Sequence, residues 1–174
     1  MYLITAYFDD QTNKYLSQLI DEIAEKTGND FMTENHVPPH MTITAFEQTD
    51  DETALSLFHQ MENELKSGEV FIASVGTFLP YVIYAEAVQN SYLYEMSKSV
   101  HARLLDDEST LVSKYYQPLQ WIPHITLGKQ LSKEQMKIAF EVLQEHFTPQ
   151  RAQVVKFGIA KTNPHRDLEI IELC

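Results

Sequence analysis

Cysteine is almost absent from this chain: its single thiol, Cys174, is the last residue. One sulfhydryl can form neither an intramolecular disulfide nor a multi-cysteine metal site, so burial and hydrogen bonding must hold the fold, and the thiol reads as incidental. Positive charge is scarce as well. Against 25 Asp and Glu stand 13 Lys and Arg, a net charge of −12, and a surface of that sign repels a long phosphate backbone. Any nucleic acid bound is expected to be short or gripped at one local basic patch, with no long duplex as partner. Only 5 Gly and 7 Pro occur and no low-complexity run, which excludes a fibrous or disordered chain. No apolar stretch approaches the roughly 18 residues of a membrane-spanning helix. The opening Met1-Tyr2-Leu3-Ile4-Thr5-Ala6-Tyr7-Phe8 carries neither a basic stretch nor a small-residue cleavage site. The expectation is therefore a cytoplasmic single domain of 174 residues, taken as a monomer, without a membrane partner.

What the chain does have is a repetition. Pro39-His40-Met41-Thr42-Ile43 and Pro123-His124-Ile125-Thr126-Leu127 share the order Pro, His, apolar, Thr, apolar. At this composition the pattern is expected only about 0.004 times, so a pair demands a cause. Strand periodicity supplies one, because alternate side chains point to opposite faces. His40 and Thr42 share a face, with Thr44 next in line, while Met41, Ile43 and Ala45 point to a core. His124 and Thr126 share a face in the second copy, backed by Ile125 and Leu127, and Gly128 beyond them is expected to leave room for a ligand.

The surrounding elements also repeat. After a first strand, Leu16, Leu19, Ile20, Ile23 and Ala24 lie on one helical face, with Thr12 as candidate N-cap and Gly28 as stop. A motif strand at about 40–46 follows. Thr49 and Glu52 then suggest a capping box for a helix carrying Leu55, Phe58, Met61 and Leu65 and ending at Gly68. A strand over 70–79 closes the half. Beyond Pro80 come a strand over 81–88, a helix over 91–105, the second motif strand at about 122–128, and a helix capped by Ser132 and Gln135. That last helix is expected to bury Met136, Ala139, Phe140, Leu143 and Phe147. Strands over 154–160 and 168–173 end the chain. Two similar lobes, approximately 1–79 and 80–174 with strands possibly exchanged between them, would face their motif strands across a shared cleft.

Two His-x-Thr motifs of this kind, each preceded by a helix, resemble those of the 2H (two-histidine) phosphoesterases. That superfamily includes 2′-5′ RNA ligase-like proteins and cyclic nucleotide phosphodiesterases. Pro39-His40-Met41-Thr42-Ile43-Thr44-Ala45-Phe46 looks like the first motif, which often ends in Phe. Pro123-His124-Ile125-Thr126-Leu127-Gly128-Lys129 looks like the second, with Lys129 where Arg is common. The resemblance implies an α+β fold: a bilobal, pseudo-two-fold domain with antiparallel sheets lining a central cleft and helices outside.

The chemistry follows from the residue types. Opening a cyclic phosphodiester needs a base for the attacking water or hydroxyl and an acid for the departing oxygen, and two imidazoles can hold opposite protonation states near neutrality. His40 and His124 are the candidate catalytic pair. Thr42 and Thr126 are the candidate donors to the non-bridging phosphate oxygens. His124 is expected as base and His40 as acid in hydrolysis, although the pseudo-symmetry admits the reverse. No metal or other cofactor is required. His36 and His40 are four apart, but Val37-Pro38-Pro39 prevents the helix that would pair them on a zinc ion.

Further candidates for substrate contact are Lys129 and Thr44, with Tyr84, Tyr115 and Trp121 as aromatic faces for a base, and Tyr81 and Tyr116 near them. His59, His101 and His146 read as packing or surface residues of helices. His165, in the turn Asn163-Pro164-His165-Arg166, reads as a loop residue that borders the cleft at most. The expected partner is a cyclic nucleotide or a short RNA terminus. A non-catalytic module that uses the same cleft to hold a phosphorylated ligand is the alternative.

Overall fold

The computed structural model describes every residue except Pro164 and Cys174. The expectation for the Cys174 thiol thus lies outside the described residues, as does the proline of the 163–166 turn. Strand β1 (Tyr2–Phe8) is buried along its whole length and leads into helix α1 (Asp10–Thr27). The N-cap is Asp9, not Thr12. The Asp9 carboxylate accepts from both the backbone N–H and the hydroxyl of Thr12 at 2.9 Å, which satisfies an orphan donor of the first turn. Gly28 ends α1 in the left-handed region at φ 66°, where a side chain would be strained.

A one-turn helix α2 (Phe31–Glu34) precedes the first motif strand, β2 (Met41–Glu47). Helix α3 (Asp51–Met61) is capped by Asp50, which accepts from Thr53, in place of the expected Thr49–Glu52 box. It stops seven residues before Gly68, where strand β3 (Gly68–Phe78) begins. β3 turns into β4 (Val82–Ala87), and helix α4 (Ser91–Leu105) follows. A two-residue strand β5 (Leu111–Val112) and a 3-10 turn (Lys114–Tyr116) lead to the second motif strand, β6 (His124–Gly128). Helix α5 (Lys133–His146) starts with the expected Ser132–Gln135 capping box, and β7 (Gln150–Lys161) and β8 (Arg166–Glu172) close the chain. On α5 the buried residues are Ala139, Val142 and Leu143; Phe140 is 51% exposed, because the helix turns its other flank to the core.

The strands pair in the order β1-β2-β6-β4-β3-β7-β8, and β1 also pairs with β7, so the path returns on itself. Every recorded pairing is antiparallel. The α+β architecture expected from the motifs is thus the one observed, with helices packed outside the sheet. The halves of the sequence interleave in it. β3 pairs with β4 across residue 80, whereas β7 runs from β3, through Gln150–Val154, to β1 and β8. The helices cross over too: α1 packs on α5 and behind β6, while α4 packs on α3 and behind β2. Each motif strand is therefore backed by a helix from the other half.

Candidate active site

The two motif strands touch at the centres of the repeated segments. Met41 of β2 pairs with Ile125 of β6, and these are the middle apolar residues of the two repeats. In an antiparallel pair centred there, His40 lies opposite Thr126 and Thr42 opposite His124. Met41, Ile43, Ile125 and Leu127 are fully buried on the far face, as the alternation required. The near face opens into a cleft of about 220 Å³ lined by His40, Thr42, His124, Thr126 and Lys129.

The imidazoles are held in matching ways. His40 Nδ1 lies 2.8 Å from the Pro38 carbonyl and His124 Nδ1 lies 2.8 Å from the Ile122 carbonyl, each two residues back along the chain. A carbonyl can only accept, so both Nδ1 atoms carry the proton and both Nε2 atoms are left free for chemistry. Tyrosines stand behind the two rings. Tyr84 lies 5.3 Å from the His124 ring and Tyr7 lies 6.3 Å from the His40 ring. Glycines make room for these tyrosines, because a Cβ on Gly76 would meet the Tyr84 ring at 2.6 Å and one on Gly158 the Tyr7 ring at 2.9 Å.

Burial lowers the affinity of both imidazoles for a proton. For His40 burial acts first and the neighbouring His165 second, bringing it down to about 4 against the opposing pull of the Pro38 carbonyl and Asp167. His124 is also lowered by burial, with the Ile122 carbonyl opposing. Burial raises the pKa of Tyr116, with the neighbouring Thr42 opposing. Lys129 Nζ reaches Asn163 Oδ1 at 3.2 Å and sits 5.5 Å over the Phe31 ring. Among the described residues that line the cleft none is Asp or Glu, although the chain carries 25 of them. An anion is thus met by hydroxyls, imidazoles and one ammonium, with no like charge facing it.

Four candidate contacts stand elsewhere. Trp121 is 6% exposed and packs toward Tyr116 in the core, and Tyr115 is 73% exposed beneath Lys114. Thr44 is buried with no partner for its hydroxyl. Tyr84 is covered by Phe78, 4.4 Å away. None of the four lines the cleft, which takes its aromatic faces from Tyr116, Phe78 and Phe31. Gly128 also departs from expectation: its vacant side is filled by Leu131, Ile83 and Ile23, so its missing side chain serves the core and not a ligand.

His165 is the residue that sequence reasoning undervalued. It lines the cleft, and its ring stacks on that of His40 at 4.3 Å and 30°. The available signal was the spacing of His165 and Asp167, two apart at the start of a strand and hence on one face, as in the two repeats. Among the described residues no cluster of three or more His, Cys, Asp or Glu side chains has metal-binding geometry. Among them, too, no helix is long and apolar enough to cross a membrane.

Residues 12–166 match the 2′-5′ RNA ligase superfamily. No curated protein sequence matches the chain. Among solved structures, one described as a phosphoesterase aligns over 99% of this chain and 97% of its own, with a TM-score of 0.64 and 14% identity. TT0787 of Thermus thermophilus aligns over 99% and 97%, with a TM-score of 0.62 and 16% identity. E. coli LigT in complex with 3′-AMP aligns over 99% and 97%, with a TM-score of 0.58 and 12% identity. At such identities the likeness is one of fold.

Proposed function

Since the chain belongs to the 2′-5′ RNA ligase superfamily, we propose that it is a phosphodiesterase acting on a 2′,3′-cyclic or related cyclic phosphodiester, on a nucleotide or a short RNA end. The observation that carries the reading is the cleft with two free Nε2 atoms and two threonine hydroxyls set about the Met41–Ile125 pairing. In hydrolysis, water gives a proton to one Nε2 while its oxygen forms the new P–O bond. The P–O bond to the ribose oxygen breaks, and that oxygen takes the proton from the other Nε2. Thr42 and Thr126 donate to the non-bridging oxygens, where negative charge is greatest. The chain's own groups suffice for this step, and with the 5′-hydroxyl of a second RNA end as nucleophile in place of water the same step forms a 2′-5′ linkage, the P–O bond to the 3′-oxygen breaking and that oxygen taking the proton.

The environments of the histidines support His40 as base and His124 as acid, the reverse of the assignment expected from the sequence. His40 carries a second depressing neighbour, His165, which His124 lacks. E. coli LigT, which shares the fold, has been solved with 3′-AMP and with NADP+, both nucleotides bearing a phosphate on ribose. A substrate of that class fits the small cleft and the acidic exterior better than a long polyanion does.

The test is a panel of 2′,3′-cyclic nucleotides, ADP-ribose 1″,2″-cyclic phosphate, and RNA oligomers with cyclic or 2′-5′ ends. Turnover of at least one member is expected, with His124→Ala at least a hundredfold slower and phosphate binding retained. Binding without turnover across the whole panel would overturn the enzymatic reading in favour of a module that only holds phosphorylated ligands.

A further inference from the structure

We propose that His165 breaks the two-fold symmetry of the site as a positioning residue: held by Asp167 and stacked on His40, it sets that imidazole as proton acceptor and leaves His124 as donor. The assignment of roles rests on the phosphodiesterase reading above, whereas the coupling between the two rings does not.

The argument starts from how alike the two sides otherwise are. Each imidazole has its Nδ1 tied to the carbonyl two residues back, a tyrosine beside it and a glycine that seats the tyrosine. The sides differ in what lies against the ring. His124 meets the edge of Phe78 at 4.7 Å and 90°, a contact with no titratable group. His40 meets His165, whose side chain is 7% exposed and therefore as confined as a core residue. A loop side chain this buried is fixed by something, and the fixing groups are on β1 and β8.

His165 Nε2 lies 3.1 Å from Asp167 Oδ1 and 3.4 Å from the Tyr7 hydroxyl. Tyr7 donates to the same carboxylate, and Thr5 Oγ1 stands 3.1 Å from the Tyr7 oxygen. Burial pushes the Asp167 carboxyl up, but the bonds from His165 and Tyr7 outweigh it and hold it below the usual range. The result is a carboxylate that orients an imidazole, which in turn lies flat on the imidazole at the reacting centre. Stacked at this distance and away from bulk water, two imidazoles resist carrying positive charge together. Asp167 by itself pulls His40 the other way, and the stacked His165 ring outweighs it. The titratable groups facing His40 are Tyr7 from β1, His124 from β6, and His165 and Asp167 from β8 and the turn before it. Neither of the last two has a counterpart that shifts His124, which is depressed by burial alone; Glu86 of β4, opposite it in register, is not among the causes.

The experiment follows the His40 ring by NMR across pH in the intact protein and in His165→Phe and His165→Arg. The first variant keeps an aromatic stack without charge, and the second keeps a flat group with a permanent one. The His40 midpoint, about 4 in the parent chain, is expected to rise by about one unit in His165→Phe and to fall in His165→Arg. The acid limb of kcat/KM on a cyclic phosphate should move in step. A midpoint that stays put in both, or moves the same way in both, overturns the proposal. The titration needs no turnover, so an inactive parent chain with a responsive His40 would refute the enzymatic reading while leaving the coupling intact.

Discussion

A histidine placed where water is excluded cannot be protonated as easily as one in solution, and His40 shows the consequence for stability. Its ordinary value of 6.5 falls to about 4 in the fold. As pH drops below 6.5 the unfolded chain binds a proton at this residue that the folded chain refuses, so stability is lost between the two values and the loss is complete below about 4. At most roughly 3 kcal/mol is at stake. Denaturant midpoints measured from about pH 7 to about pH 4 should therefore decline, and His40→Gln should flatten the decline; equal slopes in the two proteins would contradict the burial argument. His40, Thr42, His124 and Thr126 were legible in the sequence because a two-residue period is a short-range property. His165 was not, because its contact with His40 joins residues 125 positions apart and depends on a pairing of β7 with β1 that no local pattern announces.

Elements were legible where the hydrophobic period was clear, as in α4, and where a capping box marked the start, as in α5 with Ser132 and Gln135. They were misread where an aspartate competed with a threonine. Asp9 and Asp50 took the caps assigned to Thr12 and Thr49, since a carboxylate is the stronger acceptor for the first-turn donors. The exposed Phe140 marks a helix whose apolar face is wider than its buried one. At this scale the least obvious device is Gly76 of β3. A Cβ on Gly76 would fall 2.6 Å from the Tyr84 ring, and Tyr84 is wedged between Phe78 and His124, so the strand has to omit a side chain there. Gly76→Ala should cost about 1–3 kcal/mol and lower Tm by roughly 3–8 °C. An unchanged Tm would mean that Tyr84 has somewhere else to go.

At the scale of the whole molecule, the two halves of the chain are threaded through each other. The sequence predicted two similar halves around a cleft, and the element order repeats as expected; the route of β7 from β3 to β1 and the crossed backing of β2 by α4 and β6 by α1 follow from packing that only the folded chain defines. Interleaving has a functional consequence. The two motif strands are pinned to one another at Met41 and Ile125 and supported from opposite halves, so the four side chains above them share one backing. On the proposed function, the acidic exterior and a cleft with no carboxylate among its described lining residues favour a small phosphorylated ligand over a long polyanion. The most direct test is a double-mutant cycle on turnover of a 2′,3′-cyclic phosphate by the parent chain, His40→Ala, His124→Ala and the double variant. If acid and base serve one concerted step, each single variant loses at least a hundredfold and the double loses little more than the worse single. Losses that multiply, or a single variant that keeps the parent rate, would contradict a shared step at one phosphate.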